Sequence, residues 1–163
     1  SETESIGGVL QTLSGKCIDL ARLKLGSGKI KSIASGMSNN KSLQSVQLAL
    51  NELEDAGIQC IADELLMSST LLHLDLTSNR ISNPGAAALA RALKINHTLQ
   101  SLNLSNNRIK DPGALDIASS LKVNCELKTL NLEWNQIRDK GGIALAKATR
   151  VNPTLQDLIL TKN

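Results

Sequence analysis

Leu43, Leu71, Leu99, Leu127 and Leu155 stand 28 residues apart, and three further rows keep that interval. Val46, Leu74, Leu102, Leu130 and Leu158 form one row. Leu48, Leu76, Leu104, Leu132 and Leu160 form the second, and Asn51, Asn79, Asn107, Asn135 and Asn163 the third. Five segments therefore read L-x-x-L-x-L-x-x-N in one register, with Val46 in place of one Leu. A period of this length marks units that cannot bury an apolar face alone and must stack on their neighbours.

Each unit divides into two halves. In x-L-x-L-x alternate side chains point to opposite faces of a strand, so Leu74 and Leu76 face inward while His73, Asp75 and Thr77 face outward. The Asn then turns the chain. Its carboxamide both donates and accepts, which suits it to the buried backbone groups of the turn. Leu53, Ile81, Ile109 and Ile137 follow the Asn by two, and then come Gly57, Gly85, Gly113 and Gly141. Ile61, Leu89, Ile117 and Leu145 come next, each followed by an Ala. This half reads as a helix. Asp111-Pro112-Gly113 and Asn83-Pro84-Gly85 predict a side-chain N-cap followed by Pro at the first helical position, with Asp55 and Asp139 as equivalent caps. Leu89, Ala90 and Leu93 would share its buried face.

One strand and one helix per unit predict an α/β solenoid, a horseshoe arc with a parallel sheet on the concave face and helices on the convex face. The expected organisation is a single domain spanning 1–163. Residues 1–14 read as an N-terminal helix or cap, with Ile6, Val9, Leu10 and Leu13 apolar. Residues 15–42 read as a degenerate repeat in which Gly15 replaces the first Leu and Leu23 the Asn. Residues 43–154 hold four regular repeats, and 155–163 start a truncated one. That end predicts an uncapped C-terminal edge through which copies could associate; the expected state is otherwise a monomer.

The segment Leu99-Gln100-Ser101-Leu102-Asn103-Leu104-Ser105-Asn106-Asn107, with Leu121-Lys122-Val123-Asn124 and Leu132-Glu133-Trp134-Asn135, resembles leucine-rich repeats of the ribonuclease-inhibitor-like type. Ran GTPase-activating protein and the NOD-like receptors carry repeats of this look, and the resemblance covers residues 15–163. It implies a curved parallel sheet and a concave face that binds another protein without catalysis. Register places His73, Asp75, Thr77, Ser101, Asn103, Ser105, Asn131, Glu133, Trp134 and Asp157 on that face. Trp134 is the only aromatic residue of the chain. It reads equally as a binding anchor or as a cover folded over the strand edge. Arg80 and Arg108 follow the Asn row on one rim, where they read either as a two-Arg patch for an acidic group or as solvated loop residues. Asn51, Asn79, Asn107, Asn135 and Asn163 read as a structural ladder.

Other chemistry finds little support. The three cysteines, Cys17, Cys60 and Cys125, fall at different phases of the repeat, so neither zinc nor a disulfide is expected. His73 and His97 are likewise out of phase, and no catalytic constellation assembles. Gly26-Ser27-Gly28-Lys29 lacks the spacing of a phosphate loop. Asn40, Asn96 and Asn103 match the glycosylation sequon, but for Asn96 the repeat itself explains the residue. No secretion signal is visible, and a cytoplasmic protein is expected. Net charge is +3 without a block of like charges, so neither nucleic acid nor membrane is an expected partner, and no cofactor is expected. The alternatives to a protein-binding module are a GTPase-activating regulator of the Ran-activator kind and a structural component of a cytoskeletal or ciliary assembly. The cysteine phases predict that reductant leaves the denaturation midpoint unchanged; a midpoint that falls on reduction would reveal a disulfide and a wrong register.

Overall fold

The computed structural model describes Gly8 and residues 14–163. The expected N-terminal helix or cap at 1–14 lies, but for Gly8 and Ser14, outside the described residues. Strands and helices alternate strictly: β1 (Cys17–Asp19), α1 (Gly26–Asn39), β2 (Ser45–Gln47), α2 (Glu54–Leu65), β3 (His73–Asp75), α3 (Asn83–Leu93), β4 (Ser101–Asn103), α4 (Asp111–Leu121), β5 (Thr129–Asn131), α5 (Asp139–Thr149) and β6 (Asp157–Ile159). All six strands form one open parallel sheet in chain order. Ser45 pairs with His73, His73 with Ser101 and Ser101 with Thr129, so the 28-residue period is the register of the sheet.

Both inward rows are buried from Val46 and Leu48 to Leu130 and Leu132, with Leu158 and Leu160 of the last strand only partly covered, and the Ile and Leu residues that begin each helical half are buried. Each helix packs against the next, as each strand does. The core is thus a continuous aliphatic column between sheet and helices. Ala62, Ala90 and Ala118 are buried beside Ile61, Leu89 and Ile117, where a small side chain lets helix and sheet approach.

The Asn row ties each repeat to the one before it. Asn107 Oδ1 accepts the N–H groups of Asn79 (3.0 Å) and Ile81 (2.9 Å), both in the preceding repeat. Its Nδ2 donates to the carbonyls of Leu76 (3.1 Å) and Leu104 (3.0 Å), one in each repeat. Asn51, Asn79, Asn135 and Asn163 repeat the essentials. In the degenerate repeat Leu23 has no carboxamide to offer, but its own N–H donates to Asn51 Oδ1 at 2.9 Å. The residue before every ladder position adopts a left-handed backbone, from Arg22 (φ 62) to Lys162 (φ 59).

A second carboxamide row lies at the opposite end of the strands. Asn40, Asn96, Asn124 and Asn152 are buried in the helix-to-strand loops. Asn124 Nδ2 donates to the Leu93 carbonyl of the previous repeat at 2.8 Å, while its Oδ1 accepts the Leu127 N–H at 2.8 Å. Asn96 is engaged the same way, which leaves its amide no room for a glycan.

The expected helix caps need correction. Asn83, Asp111 and Asp139 are the first helical residues rather than caps, and Pro84 and Pro112 follow them. Asp55, within the first turn of α2, and Asn83 and Asp111 reach across to the next helix. Asp55 Oδ1 accepts the N–H groups of Ser82 (2.8 Å) and Gly85 (3.0 Å). Asn83 Oδ1 accepts from Lys110 and Gly113, and Asp111 Oδ1 from Arg138 and Gly141. Orphan N–H groups at a helix start thus receive their acceptor from the neighbouring repeat. Together with the Ile four residues earlier, this leaves no room for a side chain at Gly85, Gly113 and Gly141. A Cβ on Gly85 would stand 2.6 Å from Asp55 Oδ1, and one on Gly141 would stand 2.7 Å from Asp111 Oδ1.

The ladder predicts a contrast between identical residues four positions apart. Asn107→Ala strands buried groups of two repeats and should cost about 1–3 kcal/mol or more. Asn103 Oδ1 accepts only the Ser105 N–H, at 3.0 Å, so Asn103→Ala should cost about 1 kcal/mol or less. Urea midpoints read the difference; equal losses would contradict the ladder's structural role.

Candidate functional site: the concave face

The outward positions of the six strands form one continuous surface. On it His73, Trp134 and Asp157 are exposed, and Asp75, Thr77, Ser101, Asn103, Asn131 and Glu133 are half-buried. Ser105 departs from the expectation of an open position: it is only 9% exposed. Its hydroxyl lies 3.2 Å from Thr77 Oγ1 and its N–H is held by Asn103, so it closes the surface from below.

The polar residues are organised along each strand. Asp75 Oδ1 accepts the N–H and the hydroxyl of Thr77. Asn103 and Asn131 accept the N–H of the residue two positions on, as Asp19 does in β1. One oxygen of each carboxyl or carboxamide therefore terminates its strand, which leaves its remaining polar atoms to face solvent. Bonds also cross between strands: Thr161 Oγ1 donates to Glu133 Oε1 at 2.7 Å. Such cross-links fix side chains before any ligand arrives and reduce the ordering cost of binding.

Trp134 occupies a left-handed backbone position (φ 54) and is 55% exposed. The Lys162 ammonium sits 5.8 Å from the ring centroid, a cation–π contact with the equivalent residue of the next repeat. Ile159, at the outward position of β6, adds a further exposed apolar group. The C-terminal end of the sheet thus joins an indole, an aliphatic side chain and a cation, whereas its middle is uncharged and hydroxyl-rich except at Asp75.

On the rim the two arginines differ in their partners. Arg80 Nη1 lies 3.1 Å from Glu52 and 3.6 Å from Glu54, so its charge is balanced by the preceding repeat. Arg108 is exposed without such an ion pair among the described residues. The difference follows from phase: the residue facing Arg80 one repeat earlier is Glu52, whereas the one before Arg108 is Arg80 itself. Among the described residues no group of three His, Cys, Asp or Glu side chains is placed to hold a metal ion. No described helix is long and apolar enough to cross a membrane. Cys17, Cys60 and Cys125 are free thiols.

The sheet, the ladder and the period define a solenoid class, and comparison with known proteins gives the family. The leucine-rich-repeat family model, described as "Leucine Rich repeat", matches residues 39–62, 68–90, 96–118 and 123–146, more than half of the chain. The chain belongs to the leucine-rich-repeat family. No curated protein matches it by sequence. Among solved structures, the tropomodulin C-terminal domain of Caenorhabditis elegans superposes with a TM-score of 0.76 at 16% identity, covering 93% of each chain. The leiomodin-1 Actin-Binding Site 2 superposes with a TM-score of 0.79 at 21% identity, covering 93% of this chain and 90% of that one. At these identities the likeness is one of fold.

The two readings of Trp134 predict different costs for its removal. A fully packed Trp costs about 3–5 kcal/mol to remove. Here half of the ring is already in water, and Asn at this position relieves the left-handed backbone by up to about 1 kcal/mol. Trp134→Asn should shift unfolding free energy by less than about 2 kcal/mol in urea titrations. A loss above about 3 kcal/mol would make the indole a structural cover.

Proposed function

We propose that this chain is a non-catalytic interaction module whose concave face takes a protein partner, anchored at its C-terminal end by Trp134. The observation that carries the reading is the placement of that residue. The largest side chain of the protein is held half in solvent on a backbone conformation that bulky residues avoid, next to Lys162. Nothing in the core requires an aromatic group at a position that other repeats fill with Leu50, Ser78, Asn106 or Lys162. Trp is the side chain most enriched at the centres of protein interfaces. Asp157, Glu133, Asn131 and Asn103 would then set orientation around it, and His73, Asp75, Thr77 and Ser101 would extend the face toward the N-terminal repeats.

The cytoskeletal alternative is the more concrete of the other two, because leiomodin-1 Actin-Binding Site 2 shares the fold. Actin is therefore the first partner to try. A GTPase-activating role would need a reactive rim residue, and of the two rim arginines only Arg108 has no ion pair with an acid among the described residues.

The test pairs Trp134→Asn with a convex-face control, Lys147→Glu. Cosedimentation with filamentous actin, and affinity capture for other proteins, should retain a partner on the wild type and the control. Trp134→Asn should weaken that binding about 30-fold, as loss of an interface anchor does. A partner held equally by Trp134→Asn and released by Lys147→Glu would move the interface to the helices.

A further inference from the structure

A second row of exposed side chains runs along the flank where the helices end. Met67, Ile95, Val123 and Val151 are 73%, 59%, 58% and 64% exposed. Each lies two residues past the end of α2, α3, α4 or α5, so the four repeat at the 28-residue interval. Their backbone N–H groups close the last helical turn, at 3.0–3.2 Å from carbonyls three residues back. The residue before three of them is an exposed cation at the helix C-cap: Lys94, Lys122 and Arg150. None of the three is in an ion pair among the described residues.

Cations at a helix C-terminus have an ordinary explanation, since they complement the negative end of the helix dipole. That explanation does not extend to the aliphatic neighbours. Single exposed apolar residues are common, but four at one phase of a solenoid form a line. Directly after them the buried Asn96, Asn124 and Asn152 pin the loop to the preceding repeat. The aliphatic tips therefore stand on a fixed base, and Ile and Val are themselves stiff at χ1.

We propose that this flank docks on an anionic lipid surface, with the aliphatic row entering the interface and the cation row meeting the headgroups. Three features favour a bilayer over an acidic protein. Equivalent residues of successive repeats lie along one side of the arc, which presents them together to a plane. From Ile95 to Val151 the row is one residue wide, bordered by cations on one side and by the polar loop on the other; beside Met67 the exposed Leu66 widens it at that end alone, so a helix laid along it would find no continuous second apolar ridge to interlock with. A lipid interface accepts such isolated side chains, and each nearby Lys or Arg adds to its attraction for anionic headgroups. Glu126, half-buried in the same loop as Val123, and Glu64, half-buried one helical turn before Met67, are nearby acids that oppose it. The sequence expectation of no membrane partner rests on the absence of a block of like charges, and cations 28 residues apart form none. This inference is independent of the concave-face reading.

The test is cosedimentation of the full chain with phosphatidylcholine vesicles, with and without phosphatidylserine. Binding should require phosphatidylserine and fall as salt screens it. Two triple variants, Ile95→Ser/Val123→Ser/Val151→Ser and Lys94→Glu/Lys122→Glu/Arg150→Glu, should each lose binding, the second by about a hundredfold. The charge-matched control Lys110→Glu/Arg138→Glu/Lys140→Glu, on the opposite flank, should lose less than about a tenth as much. Unchanged thermal midpoints would show that all three variants fold. Absence of wild-type binding to phosphatidylserine vesicles overturns the proposal and leaves the row to an acidic protein. Equal losses in the two charge variants also overturn it, because they would mean undirected attraction of a cationic chain.

Discussion

A strand of three residues ends before it has satisfied its own backbone, and a stack of such strands must solve that problem at every turn. The ladder carboxamide solves it between repeats. Because Asn107 Oδ1 takes amides of the preceding repeat while Nδ2 bridges carbonyls of both, removing it would unpair groups on two turns at once. No other side chain of its size both donates and accepts in this way. The aliphatic rows supply the larger share of the burial, but a hydrophobic column alone leaves the register of one turn on the next loosely specified. The carboxamide fixes that register, and the positions of all outward residues depend on it.

The same logic recurs at two other levels of the turn. The second Asn row ties each helix-to-strand loop to its predecessor, and the Asp55, Asn83 and Asp111 side chains place their acceptors at the start of the next helix. Each contact joins adjacent repeats only, so stability is a chain of nearest-neighbour terms. It also makes residues of different type interdependent. Gly85 is small partly because Ile81 crowds it from its own repeat and partly because Asp55 approaches from the previous one, a reason that its own repeat does not contain.

Much of this was legible in the sequence. The 28-residue interval is the strand register, the inward rows are buried as far as Leu130 and Leu132, and the outward residues follow from alternation along x-L-x-L-x. What phase does not reveal is how far a side chain reaches. Asp111 looks like a cap for its own helix because sequence reasoning searches the following few residues, whereas its partners Arg138 and Gly141 are a full turn away. Arg80 and Arg108 look alike until the residue facing each one repeat earlier is considered. Ser105 looks open because alternation gives direction but not cover, and its cover comes from hydrogen bonds to Thr77 and Asn103. The exposed row from Met67 to Val151 escapes any windowed reading, since its members never share a window.

A periodic solenoid can recognise a partner in two ways. Where a row changes from repeat to repeat, as from Leu50 through Ser78 and Asn106 to Trp134 and Lys162, each rung offers different chemistry. A ligand then fits at one position only, which is what a folded protein surface needs for a specific interface. Where a row stays constant in character, as Met67, Ile95, Val123 and Val151 do, sliding by one repeat leaves the contact almost unchanged. Such a row cannot define a register, and a partner with a sequence of its own gains little specificity from it. A lipid surface has no register to match, so uniformity costs it nothing, and contributions simply accumulate with the number of repeats. The two rows therefore call for different kinds of partner, and they lie on different sides of the arc, where one need not displace the other.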